Sequence, residues 1–227
     1  MCSIILRVGE EGVWVAANRD EMVDRGWDRP ATYWPGVTGG RDRLGQGSWM
    51  VVNEAGVMAA VLNREGSLGP AAGKRSRGEL PVMAAGYASA AAAAAALAGL
   101  EAGVYRPFNL VVADAFGAFL LVGSGGDAVA VTALAPGVTM LTSGAPNDAS
   151  QPRIARHLPK FADAGFDQWE ALLGDKSGDR ESALNIPERD GFGTVCAATL
   201  KLPRGGRPVW RFAAGPPDVA GFAPVVI

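Results

Sequence analysis

Residues 1–21 read MCSIILRVGEEGVWVAANRDE, and the organisation of the chain follows from how this stretch folds back on itself. Ser3–Val8 and Val13–Ala17 are short β-type runs on either side of the turn-forming Gly9-Glu10-Glu11-Gly12, a pattern that predicts a hairpin. The second run ends in the polar cluster Asn18-Arg19-Asp20-Glu21. A hairpin returns the far end of its second strand to the start of its first, so Arg19 and Asp20 are expected beside Cys2. Initiator methionine is removed when the next residue is small, and Cys2 qualifies. Removal would leave Cys2 with a thiol and a free α-amine of pKa about 7.7–8.0. Such a residue carries its own general base. A neighbouring cation lowers a thiol pKa, and a carboxylate holds an ammonium group. Taken singly, Cys2 reads as a small buried residue opening a strand, and Arg19 with Asp20 as a surface ion pair of little worth. Their junction in one hairpin is what points to chemistry.

Outward from this hairpin, residues 24–47 are rich in Gly, Pro, Arg and Asp and read as a long irregular loop, a length often tied to function. Ser48–Val52 and Val57–Leu62 flank Asn53-Glu54-Ala55-Gly56 as a second hairpin. After a loop over 65–75, Ser76 stands three residues before Glu79 at capping-box spacing. One long Ala-rich helix is expected from there to Leu100, stopped by Gly99 and Gly103. Strand patterns resume at Asn109–Ala113, Ala118–Val122, Ala128–Ala133 and Thr139–Thr142. Helices are expected over 151–162 and 167–174, then a polar loop over 175–189. Thr194–Leu202 and Pro208–Ala213 form a last hairpin around Pro203-Arg204-Gly205-Gly206. Hairpins dominate, so the sheets should be mainly antiparallel. Two packed sheets with helices outside is the economical α+β arrangement for so many strands, in one domain spanning 1–227.

Composition narrows the function classes. The chain has 227 residues, 48% hydrophobic and 19% charged, which excludes intrinsic disorder. A formal charge of −2 disfavours nucleic acid as a partner. Two cysteines allow neither a disulfide framework nor a Cys-rich zinc site. The single histidine, His157, excludes metal sites that need two, so no metal is expected. No apolar run reaches membrane-spanning length, and residues 1–12 lack a basic leader and cleavage site; cytoplasmic location is the expectation.

Several pieces together resemble the NRDE family of transport and Golgi organisation protein 2-like proteins. They are Met1-Cys2, Asn18-Arg19-Asp20-Glu21, Gly47-Ser48-Trp49, Gly56 through Asn63, Ser76-Arg77-Gly78-Glu79-Leu80 and Phe108-Asn109-Leu110, with a weaker match at Gly193-Thr194. That family resembles an outlying branch of the N-terminal nucleophile hydrolases, near the cysteine enzymes that cleave bile-salt and penicillin V amides. The resemblance implies a four-layer αββα sandwich. It also implies catalytic roles for Cys2 as nucleophile, Arg19 and Asp20 around it, and Asn63 (in Leu62-Asn63) at an oxyanion hole. Two positions depart from the hydrolase pattern. Leu141-Thr142-Ser143-Gly144 stands where the hydrolases have a second Asn, and Val195-Cys196 follows Gly193-Thr194 where a late Arg is usual. Loss of one oxyanion donor costs about 10²–10³ in rate.

Two functions from different classes follow. One is an amidohydrolase acting on a non-peptide C–N bond, with no cofactor required. The other, implied by the family, is a non-catalytic protein handling haem, lipid or acyl-CoA. The partner is then a small molecule: an amide, haem or an acyl-CoA-like ligand. Substrate-binding candidates are Asn18, Asn109, Arg77, Trp27 and Trp34. For Asn109 a structural amide is at least as economical, and for Glu79 helix capping. Trp27, Tyr33 and Trp34 in a polar loop would make an aromatic lid or wall, whereas Trp49 on a strand reads as core. Lys74-Arg75-Ser76-Arg77 is a basic run that could meet phosphate or carboxylate, or stay solvated. Cys196 reads as a buried structural thiol. His157 is the only imidazole available to a haem and reads as a surface residue.

Overall fold

The structure is a computed structural model and describes residues 2–227. Thirteen strands and four helices follow one another among these residues. The first sheet has the order β10 (Gly137–Leu141), β1 (Ser3–Gly9), β2 (Gly12–Met22), β11 (Phe192–Pro203), β12 (Val209–Ala213) and β13 (Phe222–Val225). The second runs β3 (Trp27–Trp34), β4 (Val37–Asp42), β5 (Met50–Asn53), β6 (Met58–Asn63), β7 (Phe108–Asp114), β8 (Gly117–Gly123) and β9 (Val129–Ala133). Every strand pairing within the sheets is antiparallel.

Period-two alternation sorts the side chains into three apolar layers. Along β1, Ile4 and Leu6 enter the core between the sheets with Val15, Met58, Val111 and Leu200. Ile5 turns the other way and packs with Ile154, Phe161 and Trp169, beneath α3 (Pro152–Asp163) and α4 (Trp169–Leu173). On the far side, Ala59, Leu110 and Leu121 of the second sheet pack with Leu80, Ala93 and Leu97, from α1 (Glu79–Ala84) and α2 (Ala90–Leu97). The result is two packed sheets with helices outside, as hairpin order predicts, in the four-layer αββα arrangement that the resemblance implies. No helix among the described residues is long and apolar enough to cross a membrane.

Four expectations change. Residues 24–47 hold β3 and β4 rather than an irregular loop. The edge strand β3 carries Pro30 and two register shifts, as edge strands tolerate. In β4 the glycines make room: a Cβ on Gly39 would lie 2.6 Å from Val51, and one on Gly40 2.2 Å from the Trp49 ring. The Ala-rich segment breaks into α1 and α2. Asn53 pins the break by donating from Nδ2 to the carbonyls of Ala85 and Tyr87, each at 2.8 Å. Ser89 then caps α2 through the Ala92 N–H, while Glu79 pairs with Arg75 instead of completing a capping box. A further strand, β13, closes the first sheet edge.

His157 is fully buried, not at the surface. Its Nε2 bonds the Ser182 carbonyl at 2.8 Å. Burial lowers its pKa, with Lys160 and Arg156 acting in the same direction and the Ser182 carbonyl and Asp175 opposing. The unfolded chain, with an imidazole near pKa 6.5, therefore binds the proton more readily. This group's contribution to stability is fully present above about pH 6.5 and is lost as pH falls below it. The His157→Gln variant keeps a donor toward Ser182 and removes the titration. Thermal midpoints measured from pH 7.5 to 5 are expected to fall less steeply in that variant than in the native protein.

Candidate active site

The register places three inward-facing residues in one row across the first sheet. Arg19 of β2 pairs with Cys196 of β11 on one side. On the other, the pairing of Ser3 with Asn18 continues to bring Cys2 opposite Arg19. Cys2 and Cys196 thus lie two strands apart, about 9–10 Å. That is beyond disulfide reach, and both are free thiols.

The Cys2 thiol donates to the Asp20 carbonyl at 3.6 Å. Its pKa is raised, first by burial and then by the Asp20 charge, with Arg19 pulling weakly the other way. Arg19 pulls in the expected direction, but burial and Asp20 outweigh it and the net shift is upward. The charge of Arg19 is also shared with other partners: its Nη2 lies 3.3 Å from Asp42 Oδ2 and 3.6 Å from Glu21 Oε2. The guanidinium also stacks on Trp49, 4.4 Å from the ring centroid. Arg19 Nη1 is buried with no hydrogen-bond partner among the described residues, so a residue lining the cavity keeps an unsatisfied donor.

Beside this row lies a cavity of about 30 Å³, lined by Cys2, Arg19, Trp49, Leu62, Cys196 and Phe212 among others. Its volume suits a water or two. Trp27 of β3 stands edge-on to Trp49 and Phe212, with centroids 5.7 and 5.9 Å away, so it backs the aromatic wall. Trp34, at the other end of β3, packs on the outer core with the α1–α2 layer. The Trp49 ring depends on the space left by Gly40. A Gly40→Ala substitution drives a methyl into it and is expected to cost about 1–3 kcal/mol, read as a lowered thermal midpoint.

Asp20 faces the helix layer. Its Oδ2 lies 3.1 Å from Nη1 of Arg153 on α3, and its Oδ1 accepts from the Thr194 hydroxyl at 2.6 Å. Arg153 Nη1 also donates to Ser3 Oγ at 3.1 Å. A register shift between Thr194 and Cys196 lets neighbouring stretches of β11 meet Asp20 on one face and Arg19 on the other. Gly193 is packed too tightly for a side chain, since its Cβ would meet Glu188 Cα at 2.9 Å.

The remaining candidates spread around this centre. Asn18 turns its amide to the helix layer, donating to the Leu173 and Leu184 carbonyls at 2.9 and 3.0 Å. Asn63 ends β6 opposite Phe108. Alternation from Leu62 puts its side chain on the outer-core side, away from the cavity. Asn109, fully buried, donates to the Gly144 carbonyl at 2.9 Å and accepts from Arg64 Nη1 at 2.7 Å. It ties the second sheet to the segment after β10. Arg77 donates to Ser67 and the Pro107 carbonyl. Its pKa is lowered to about 10, first by burial and then by Arg106; the Cys2 thiol and Glu21 pull the other way, so they too lie within its electrostatic reach.

Arg153, Thr194, Asp42 and the stacking role of Trp49 are not read from the sequence. One signal for Arg153 exists: Arg153, His157 and Phe161 share the i, i+4, i+8 face that α3 buries. A charge on that face calls for a buried partner.

Solved structures with this architecture are N-terminal nucleophile hydrolase-fold proteins, and that is the class the sandwich defines. A Caenorhabditis elegans N-acylethanolamine-hydrolyzing acid amidase ortholog superposes with TM-score 0.62 at 12% identity, over 88% of this chain and 92% of that one. The C2A mutant of conjugated bile acid hydrolase from Clostridium perfringens gives 0.58 at 12% identity, over 100% and 97%. Penicillin V acylase from Agrobacterium tumefaciens gives 0.54 at 14%, over 94% and 83%. Within this fold, the chain belongs to the Transport and Golgi organisation 2 family, whose model matches residues 1–194. No curated protein sequence matches it.

Proposed function

We propose that the protein is an N-terminal-cysteine amidohydrolase that cleaves a non-peptide amide once Met1 has been removed. The observation that carries this reading is the row of Cys2 and Arg19 at the cavity, with the buried Asp20 beside them. The α-amine of Cys2 would take the thiol proton as sulfur attacks the amide carbonyl carbon. It would pass that proton to the departing nitrogen as the C–N bond breaks. Water then cleaves the thioester, releasing the acid and restoring the thiol. The amine supplies the proton acceptor that a thiol of raised pKa needs. Asp20 would hold the ammonium, and Arg19 Nη1 would meet substrate charge.

Asn63 is assigned to the oxyanion through its main chain. Val61 N–H donates to the Trp49 carbonyl at 3.0 Å, so the Asn63 N–H, two residues on, leaves β6 by the same edge, past the start of β5. Intact mass together with turnover on a panel of N-acyl amides tests the reading. The expected result is a chain lacking Met1 that releases acid and amine from at least one of them. A retained Met1, or a processed chain inert on every amide, defeats it.

A second reading, a non-catalytic haem- or lipid-handling protein on the same fold, is favoured by one observation: burial raises the Cys2 thiol pKa, against the nucleophilic attack that turnover needs. If haem were the ligand, Cys2 would have to lose its proton to hold the iron, because His157 is fully buried under α3. Saturable Soret change on haemin titration, lost in Cys2→Ala, is the expected outcome of that reading; no saturable change removes it.

A further inference from the structure

Three arginines near the same end of the sandwich make no ion pair among the described residues. Arg77 donates only to carbonyls and to the Ser67 hydroxyl. Arg106 donates to the carbonyls of Gly66, Leu68 and Pro70. Arg64 donates to Asn109 Oδ1. None of the three makes an ion pair among the described residues, whereas Glu21 and Asp42 are both taken up by Arg19 and Arg25. Neutral acceptors fix the three guanidinium groups without cancelling their charge, and the Arg77 pKa is lowered first by burial and then by Arg106. Fixed, partly buried cations without ion-pair partners favour an anion among them.

Arg64 is near Cys2 by topology, and Arg77, next to Arg106, feels the Cys2 thiol electrostatically. β1 pairs with β10 through Ile4 and Leu141, so continued register brings Ser143 opposite Cys2. The Ser143 carbonyl accepts from Glu65 N–H at 3.2 Å, and the next carbonyl, of Gly144, from Asn109. Arg64, bonded to Asn109, is therefore one residue from a contact with the segment that flanks Cys2.

We propose that Arg64, Arg77 and Arg106 form an oxyanion-binding subsite beside Cys2, so that the ligand is an acid carrying a carboxylate or a phosphate. The ligand class rests on the proposed function for the identity of the reacting group, but the subsite is testable without turnover. The probe is the pair iodoacetate and iodoacetamide, nearly equal in shape and differing in charge, with alkylation of Cys2 followed by peptide mapping. Cys196, 1% exposed, stays silent.

Relative to a free cysteine peptide, the iodoacetate-to-iodoacetamide rate ratio at Cys2 is expected to be raised about tenfold at low salt and to shrink as salt is added. It should fall toward the peptide value in Arg64→Gln/Arg77→Gln. Because Arg77 also braces the 64–78 loop, Arg106→Gln provides a milder second variant with a partial fall. Protection from iodoacetamide by inorganic phosphate or by propionate tells which acid the site prefers. A ratio equal to the peptide's, a ratio unmoved by both variants, or protection by neither anion overturns the subsite. A raised ratio in a protein inert on all amides leaves the subsite standing and removes the hydrolase. Amide turnover with a peptide-like ratio does the reverse.

Discussion

Cys2→Ala is expected to lower amide turnover at least about 10³-fold, in line with removal of other covalent nucleophiles. Alanine after Met1 is also small, so processing and the free α-amine survive and the substitution removes sulfur alone. Stability should hardly change, because the side chain gives up one long thiol bond to the Asp20 carbonyl. Cys2→Ser separates the roles further. It keeps a hydroxyl in place but with a far higher pKa, so it should fall between the native protein and Cys2→Ala. Turnover in Cys2→Ala within about tenfold of native would show that the chemistry lies elsewhere.

Arg153→Met should cost about 3–5 kcal/mol of folding stability, the range for stripping one partner from a buried ion pair. The Asp20 side chain is 0% exposed and that of Arg153 5%. Methionine fills much of the arginine volume, so the loss reports charge and hydrogen bonding, including the bond to Ser3. Adding Asp20→Asn removes the carboxylate that has lost its Arg153 partner. The double variant is expected to recover part of the loss, giving a coupling energy measurable by urea unfolding. A loss below about 1 kcal/mol in Arg153→Met would mean that the pair is not a structural bond between α3 and the first hairpin.

What the sequence discloses here follows the range of the forces involved. The first hairpin is legible because its alternation and turn are local, and so is the two-sheet layout built from repeated hairpins. The strands β3 and β4 are not, because their composition answers to neighbours. Gly39 and Gly40 are small to admit Val51 and Trp49, and in isolation they look like loop residues. The break between α1 and α2 is likewise imposed from β5 by Asn53. Around the candidate site, register fixes the meeting of Cys2 with Arg19. The faces chosen by Asp20, Asn18 and Asn63 depend on alternation counted from the core, and Arg153 reaches Asp20 from 133 residues away. The direction of the Cys2 pKa turned on burial and on the charge of Asp20, which outweigh the pull of Arg19.

Cys2 adjoins a strand that ends up inside its sheet. β1 is paired on both sides, by β2 and by β10, and Ser3 is 1% exposed. An aminopeptidase needs its substrate extended and accessible, so the Met1 removal that the proposed function requires would compete with docking of this strand. β10 ends at Leu141, and translation at about 5–20 residues per second delivers it on the order of 10 s after β1 has been made. Under the proposed function, that interval on the ribosome would be the window for removing Met1.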